Sequence, residues 1–459
     1  MFGIVGVYSK HEATEKALYN LYGVQHRGQE SAGISAAGDH SLRTWRDQGL
    51  VSNVFDEKFK SFIHPEDYVT IGSASGEKSN SNDTPPIEFE NERYKISIAK
   101  DGFVLSNEEE KGQTVEKTFW KNIEKYIDIE IAFSKSMKEL ENAYYSLVMA
   151  IFDKRNHRSE LIAARDRKGI RPLYLARGKG VLFVASESAP IDVLENMKET
   201  VDGRIIEKKD VTPGSMIRVY DDNFFEKKIQ TAQRAHCIFE WVYYGRPDSV
   251  IEKRNVHSAR KRLGHSLVRT HQLKKRRNHV IIPVPDSGRS VSIGVAEALG
   301  STADEGVIKN AYLGRTYLID DPKFRKIASD LKHNIIKEIV ENKKVTITDD
   351  SIVRGTVSES VAQALLVAGA IEVDFLVSYA PIFYSCFSDP PDKPLAAASY
   401  KGRNIFEIGD SIASQLPSIS SIKFNSIENV IKAIDIPESN LCTMCVTGRN
   451  PYDHFNTIA

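Results

Sequence analysis

VTITDDSIVRGTVSES, residues 345–360, decides the fold of half of this chain. Its opening β-branched residues, Val345 to Thr348, read as a short strand. That strand delivers Asp349 and Asp350 to its carboxyl end, where open α/β sheets bind their ligands. A turn of Ser351, Ile352, Val353, Arg354, Gly355 and Thr356 then opens a helix predicted over Ser358–Ala368. Such a turn aims backbone N–H groups and hydroxyls at a phosphate, and the helix N-terminus favours the negative charge. The two acids would face ribose hydroxyls or a hydrated Mg2+, an ion that takes one or two carboxylates and keeps several waters. A tight turn with a polar cap is the plain alternative, and it does not account for paired acids at this point.

Outward from this loop, strands and helices alternate. Strands are predicted at His279–Val284, Lys344–Thr348 and Glu372–Tyr379, and a helix through Val291–Leu299. Val256, Ala259, Leu263 and Leu267 recur at helical spacing. This rhythm predicts a mainly parallel sheet from about residue 235 onward. The N-terminal half differs, with short apolar runs at Phe2–Val7, Lys95–Ala99, Tyr144–Phe152, Leu161–Ala164 and Val181–Ala185. These predict stacked antiparallel sheets, with helix following Glu15. Gly76–Asn91 reads as an exposed polar loop, and Asn107–Lys117 as an acidic run poor in apolar residues. The basic run Lys274–Arg277 reads as a solvated helix end rather than a phosphate contact.

A length of 459 residues exceeds one ordinary core and suggests two domains of roughly 200 residues each. An apolar fraction of 41% with a mean hydropathy of −0.34 fits a globular chain. Lys+Arg and Asp+Glu each total 62, and this balance gives no reason to expect a nucleic acid or an anionic membrane as partner. The N-terminus lacks the pattern of a signal peptide, and no apolar run approaches a membrane span, so a cytoplasmic location is expected. The four cysteines, Cys237, Cys386, Cys442 and Cys445, point to metal or cluster ligation rather than a disulfide framework. A CxxC pair with two distant thiols suits zinc or a 4Fe-4S cluster, with four unrelated buried thiols as the alternative.

The 345–360 segment resembles the phosphoribosyl pyrophosphate (PRPP) loop of type I phosphoribosyltransferases. IFEWVYYGRPDSVIEKRNVHSARKRLG (238–264), PVPDSGRSVSIGVAEALG (283–300) and IKNAYLGRTYL (308–318) narrow the resemblance to the glutamine PRPP amidotransferase family. LYGVQHRGQESAGI (21–34), LIAARDRKGIRPLYLA (161–176) and VASES (184–188) are similar to the class II glutaminase domain of the same family. The resemblance implies a two-domain α/β and α+β protein. Residues 1–232 would form a degenerate class II glutamine amidotransferase domain, an Ntn-hydrolase-like αββα sandwich. Residues 233–459 would form a type I phosphoribosyltransferase α/β domain with a cluster-binding C-terminal tail.

It further implies PRPP binding by Asp286, Ser287, Gly288 and Arg289 on the pyrophosphate side, together with Asp349 to Thr356. Ser287, Asp349 and Asp350 would hold Mg2+. The implied reaction displaces pyrophosphate from C1 of PRPP with ammonia, giving phosphoribosylamine, the first committed step of purine synthesis. AHCIFE, YSCF and CTMC match the contexts of the cluster ligands, so Cys237, Cys386, Cys442 and Cys445 would hold a structural 4Fe-4S cluster. A homo-oligomer, dimer or tetramer, is implied as well.

This chain departs from the family where amide hydrolysis is done. Phe2 stands in place of the N-terminal cysteine nucleophile, and a bulky second residue disfavours removal of the initiator Met. Without a thiolate and its free-amine base, covalent hydrolysis has no starting point. Ser75 replaces the arginine that grips the glutamine carboxylate. The Asn-Gly oxyanion pair becomes Asp101-Gly102, and a carboxylate there repels a developing oxyanion. In the transferase, Ala311, Asp330 and Phe383 stand where the family has arginine. Two expectations follow: an ammonia-dependent transferase without glutaminase activity, or a non-catalytic regulatory or structural subunit that pairs with an active paralogue and keeps PRPP or purine nucleotide binding.

Overall fold

The computed structural model describes residues 1–77, 83–105, 113–126, 128–196, 205–310, 333–387 and 394–452. The N-terminal half contains strands β1 (Phe2–Ser9), β2 (Ser31–Ala37), β3 (Leu42–Gln48), β4 (Val69–Ser75), β5 (Ile87–Glu90), β6 (Tyr94–Val104), β7 (Ala143–Asp153), β8 (Arg158–Arg165), β9 (Tyr174–Gly178), β10 (Val181–Ala185), β11 (Ile205–Asp210), β12 (Ser215–Tyr220) and β13 (Asn223–Lys228). They form a seven-stranded sheet in the order β11-β9-β10-β1-β4-β2-β3 and a six-stranded sheet in the order β13-β12-β8-β7-β6-β5. Every pairing within them is antiparallel.

β1 is buried along its whole length because both of its faces are covered. Ile4 joins Val148, Leu161 and Leu175 in the core between the sheets. Val5 packs with Ala17 and Leu21 of the helix Ala13–Gly23 on the outer side. The second sheet is covered by helices Val115–Lys125 and Ile129–Glu139, whose Phe119 and Phe133 meet Ile96 and Leu147. Thr114 and Asp128 cap those helices through their side-chain oxygens, satisfying N–H groups that have no partner within the helix. The result is the expected αββα sandwich. One expectation is corrected: β5 lies inside the predicted loop 76–91. Its Phe89 reaches the core and stacks on Trp120 at 5.6 Å, an apolar alternation of only two residues hidden by polar neighbours.

The C-terminal half centres on a parallel sheet of His279–Pro283, Lys344–Asp349, Glu372–Val377 and Ser421–Phe424, adjacent in space in the order of the chain. Helices Val256–Thr270, Gly288–Leu299, Thr356–Val367, Ile405–Ala413 and Ile427–Ile434 accompany it. The strands Lys344–Asp349 and Glu372–Val377 read Val-Thr-Ile-Thr and Val-Asp-Phe-Leu-Val because they are interior strands of a sheet that helices cover on both faces. The basic run 274–277 is not simply a solvated helix end. The preceding helix stops at Thr270, and Arg276 turns onto the sheet, pairing with Glu372 and Asp374 at 2.7 Å each. No helix among the described residues is long and apolar enough to cross a membrane.

Candidate functional site

Three neighbouring groups of side chains carry the sequence-predicted chemistry. The first lies at the carboxyl edge of the parallel sheet. Val284 N–H donates to the Thr348 carbonyl at 2.9 Å, and Thr348 Oγ1 donates to the Gly288 carbonyl at 3.1 Å. The turn after His279–Pro283 is thereby stitched to the strand that carries the two acids. The approach is so close that a Cβ on Gly288 would stand 2.2 Å from the Thr348 carbonyl oxygen. Gly355 takes a left-handed φ of 81°, which turns the chain into the helix Thr356–Val367. Asp349 and Asp350 are 6% and 7% exposed. Burial, and then the neighbouring Asp350 carboxylate, push the Asp349 carboxyl well above the usual range. Ser351 Oγ donates to Asp350, and the buried Arg260 guanidinium lies within electrostatic reach of it.

Asp286 is exposed and bridged by Arg289 at 2.7 Å and Lys309 at 3.2 Å. Ser287 is half-buried and, among the described residues, makes no hydrogen bond to Asp349 or Asp350. Ile352 is in the core, Val353 and Thr356 are exposed, and Arg354 is half-buried. The loop thus presents two buried carboxylates beside a helix start, with Arg289 in the first turn of the helix Gly288–Leu299 and Lys309 on the strand Val307–Lys309 around Asp286. Paired carboxylates of this kind suit a hydrated divalent ion.

The second group is the thiols. A parallel bridge puts Cys237 directly across from Cys442. Cys386 acts electrostatically on Cys237, Cys442 and Cys445, so the four sulfurs face one region. All four are free. Burial pushes the Cys237, Cys442 and Cys445 thiols up, Cys442 to about 12 and Cys445 to about 11. Among the described residues no three His, Cys, Asp or Glu side chains are placed to hold a single metal ion. Tetrahedral zinc at a Zn–S distance of about 2.3 Å sets its sulfurs about 3.8 Å apart. Four thiols gathered from distant points of the chain are the donor set that a four-thiolate metal or iron–sulfur site takes.

The third group surrounds Phe2, which is 3% exposed. Its register on β4 sets it opposite Ser75, and its N–H donates to Asp101 Oδ1 at 3.1 Å. Phe2, Ser75, Asp101 and Gly102 therefore do converge, although Ser75 and Asp101 lie on different sheets. The Ser75 hydroxyl is engaged locally with Glu77. The Phe2 ring lies 6.0 Å from Phe103, with Lys100 Nζ above both rings. Gly102 has a φ of 146°, and a Cβ there would sit 2.0 Å from the Tyr144 carbonyl oxygen.

Asp101 faces Arg27 Nη2 at 3.5 Å and Arg171 Nε at 3.7 Å. Burial raises its pKa, but Arg171 and Arg27 outweigh burial and hold it below the usual range. Arg27 also binds Glu187 at 2.7 Å and Glu240 at 2.8 Å, and Arg171 meets Glu240 at 3.2 Å. This buried network joins the sandwich to the segment Glu240–Tyr244 that leads into the parallel-sheet half.

Sequence reasoning missed that network: Arg27, Arg171, Glu187 and Glu240 lie within stretches quoted for the family resemblance, but they are scattered along the chain and no local spacing says that they meet. It also missed Tyr379, whose hydroxyl lies 3.0 Å from Cys445 Sγ. Ala311 and Asp330 lie outside the described residues. Phe383 packs against both the parallel-sheet core and the core beside the thiols, so it is part of the packing rather than a free loop side chain.

A glutamine amidotransferase domain family profile matches residues 78–192. The chain is 34% identical to an amidophosphoribosyltransferase of Methanothermobacter thermautotrophicus over 98% of this chain and 94% of that protein. It is also 34% identical to one of Pyrococcus horikoshii, over 98% and 96%. A solved structure described as the allosteric regulatory enzyme of purine biosynthesis superposes with a TM-score of 0.83 at 29% identity, covering 98% of this chain and 96% of that one. The glutamine PRPP amidotransferase from B. subtilis complexed with ADP and GMP superposes with a TM-score of 0.82 at 28% identity, covering 98% and 97%.

Proposed function

This chain belongs to the amidophosphoribosyltransferase family, and from that premise we propose that its transferase half binds PRPP with Mg2+ while its glutaminase half is inactive. The observation that carries the transferase reading is the pair of buried carboxylates, Asp349 and Asp350, at the sheet edge before the Gly355 turn. N–H groups and hydroxyls of Ser351 to Thr356 would hold the 5′-phosphate. Asp286 to Arg289 would line the pyrophosphate side, where Arg289 and Lys309 already stand. Asp349, Asp350 and Ser287 would hold the Mg2+, which supplies neutralising charge to the pyrophosphate. In the reaction, the ammonia lone pair forms a bond to C1 of the ribose. The C1–O bond breaks, pyrophosphate leaves with the electron pair, and the new ammonium loses a proton to give phosphoribosylamine. The chain's own share is to fix the ribose phosphate and to hold C1 open to the nucleophile.

Loss of amide hydrolysis is supported by a phenyl ring where a nucleophile is needed, and by an ionised Asp101 where an oxyanion donor is needed. Cys237, Cys386, Cys442 and Cys445 would hold a 4Fe-4S cluster that fastens the tail to the body. The protein would act in the cytoplasm as a homo-oligomer, with ammonia supplied free or by another subunit. The B. subtilis structure carries ADP and GMP, and a purine nucleotide would compete for the same phosphate-binding turn here. One observation favours the second reading, a non-catalytic partner of an active paralogue: Phe383 is packed into two cores and offers no cation to substrate.

The test is phosphoribosylamine formation by anaerobically purified protein from PRPP and Mg2+, with ammonium or with glutamine. Activity with ammonium alone, absent in Asp349→Ala/Asp350→Ala, is the expected result. Glutamine-driven activity would refute the dead-glutaminase reading. Silence with both, from protein that still binds PRPP, would leave the non-catalytic subunit standing.

A further inference from the structure

We infer that Tyr379 is a positioning residue that couples the Cys445 sulfur to the loop carrying Asp349 and Asp350, an inference that rests on the cluster and PRPP readings above. Tyr379 is 0% exposed and reaches both places at once. Its backbone N–H donates to the Asp350 carbonyl at 2.9 Å, and its hydroxyl meets Cys445 Sγ at 3.0 Å. Its ring is held edge-on by Phe239 at 5.2 Å, which leaves the phenol little freedom to point elsewhere.

The connection continues on either side of Tyr379. Ser378 N–H donates to the Asp349 carbonyl at 2.9 Å, so consecutive residues grip the two acids of the loop. Phe383 and Tyr384 N–H groups both donate to the Cys445 carbonyl, at 2.9 and 3.1 Å. The segment from Val377 to Cys386 therefore runs from the sheet edge to the thiol site, bonded to the loop at one end and to Cys445 at the other. A metal-ligating thiolate has no proton to give, so in the loaded protein the phenol is the donor and the sulfur the acceptor. Hydrogen bonds to the sulfurs set the reduction potential of such a cluster. The same bond fixes the height of the Tyr379 backbone, and with it the Asp350 carbonyl.

The experiment compares wild type, Tyr379→Phe and Tyr384→Phe after anaerobic assembly. Tyr384 is the control because its backbone, not its phenol, meets Cys445. The cluster midpoint potential is read by spectroelectrochemical titration, and PRPP affinity with Mg2+ by calorimetry. Tyr379→Phe is expected to keep its iron and to shift the potential negative, because a donor that stabilised the more reduced state is gone. PRPP affinity is expected to fall about two- to tenfold, the worth of one net hydrogen bond. Tyr384→Phe is expected to match wild type in both. An unchanged potential or an unchanged PRPP affinity in Tyr379→Phe would overturn the coupling. Wild type without iron would overturn the cluster reading instead, and wild type that does not bind PRPP would overturn the transferase reading.

Discussion

Replacing Asp101 with asparagine puts an amide at the position proposed above as the former oxyanion site and removes one charge from a buried network. The amide side chain of D101N retains an oxygen able to accept the Phe2 N–H, which in the wild type binds the carboxylate at 3.1 Å. What it loses is attraction to Arg27 at 3.5 Å and Arg171 at 3.7 Å. Breaking a buried pair costs about 3–5 kcal/mol. Both guanidiniums keep Glu240, at 2.8 and 3.2 Å, so the cost falls at or just below the lower end of that range, about 2–3 kcal/mol. For a domain of this size that is a drop of roughly 4–12 °C in Tm. Asp101 has a folded pKa below its unfolded value, so the stability it supplies is present above pH ~4 and is lost as pH falls further. The gap between wild type and variant should therefore be present at neutral pH and close as pH falls below about 4. Thermal denaturation across that range is the assay, with glutamate release from glutamine measured alongside. Neither D101N nor Phe2→Cys/Asp101→Asn is expected to hydrolyse glutamine, because Ser75 offers no cation for its carboxylate. A variant as stable as wild type at pH 7, or glutamate release by D101N alone, would refute the reasoning.

Three more outcomes concern the Asp349–Asp350 loop and the turn at Gly288. Asp349→Asn should raise the melting temperature of the ligand-free protein, by relieving two adjacent buried carboxylates, while lowering Mg2+-dependent PRPP affinity by about 10- to 100-fold, as expected for a lost contact to an ionised group; calorimetry and melts on one preparation check both. Because the Asp349 folded pKa is raised, the stability it lends is full below its unfolded pKa and fades as pH rises through the folded one, so Mg2+ should displace a proton and PRPP binding should strengthen with rising pH, read as buffer-dependent heat. Gly288→Ala should abolish PRPP binding and lower stability, since its methyl would stand 2.2 Å from the Thr348 carbonyl oxygen, and soluble protein that binds PRPP normally would contradict the packing described.

The loop at 345–360 was legible because strand, paired acids, turn and helix follow one another within a few residues, where local chemistry decides the outcome. Predicted strands ended within two residues of the observed ones at Lys344–Asp349 and Glu372–Val377, the differences falling where polar residues at the sheet edge remain hydrogen-bonded. Strand β5 was not legible, because two apolar side chains in a polar stretch carry too little pattern until Trp120 and the neighbouring strand supply their burial. Arg276 looked like surface charge, and only the sheet's Glu372 and Asp374 explain its place. The convergence of Arg27, Arg171 and Glu240 is written in no local spacing. Motif resemblance identified Phe2 and Asp101 as departures, but not that each is the other's hydrogen-bond partner.

The parallel bridge between Cys237 and Cys442 sets an order of events in the making of the protein. One thiol precedes the parallel sheet and its partner follows the sheet's last strand, so the clasp encloses every strand between them. Bringing such distant points together carries a loop-closure cost that a disordered intervening chain must meet in full and a folded one has already met. The sandwich, complete by Lys228, is free to form while the rest is still being synthesised. The sheet must follow, and only then do the sulfurs face one another. A nascent chain interrupted within the sheet would therefore present isolated thiols, making its own tail the last part of the molecule to report that folding has succeeded.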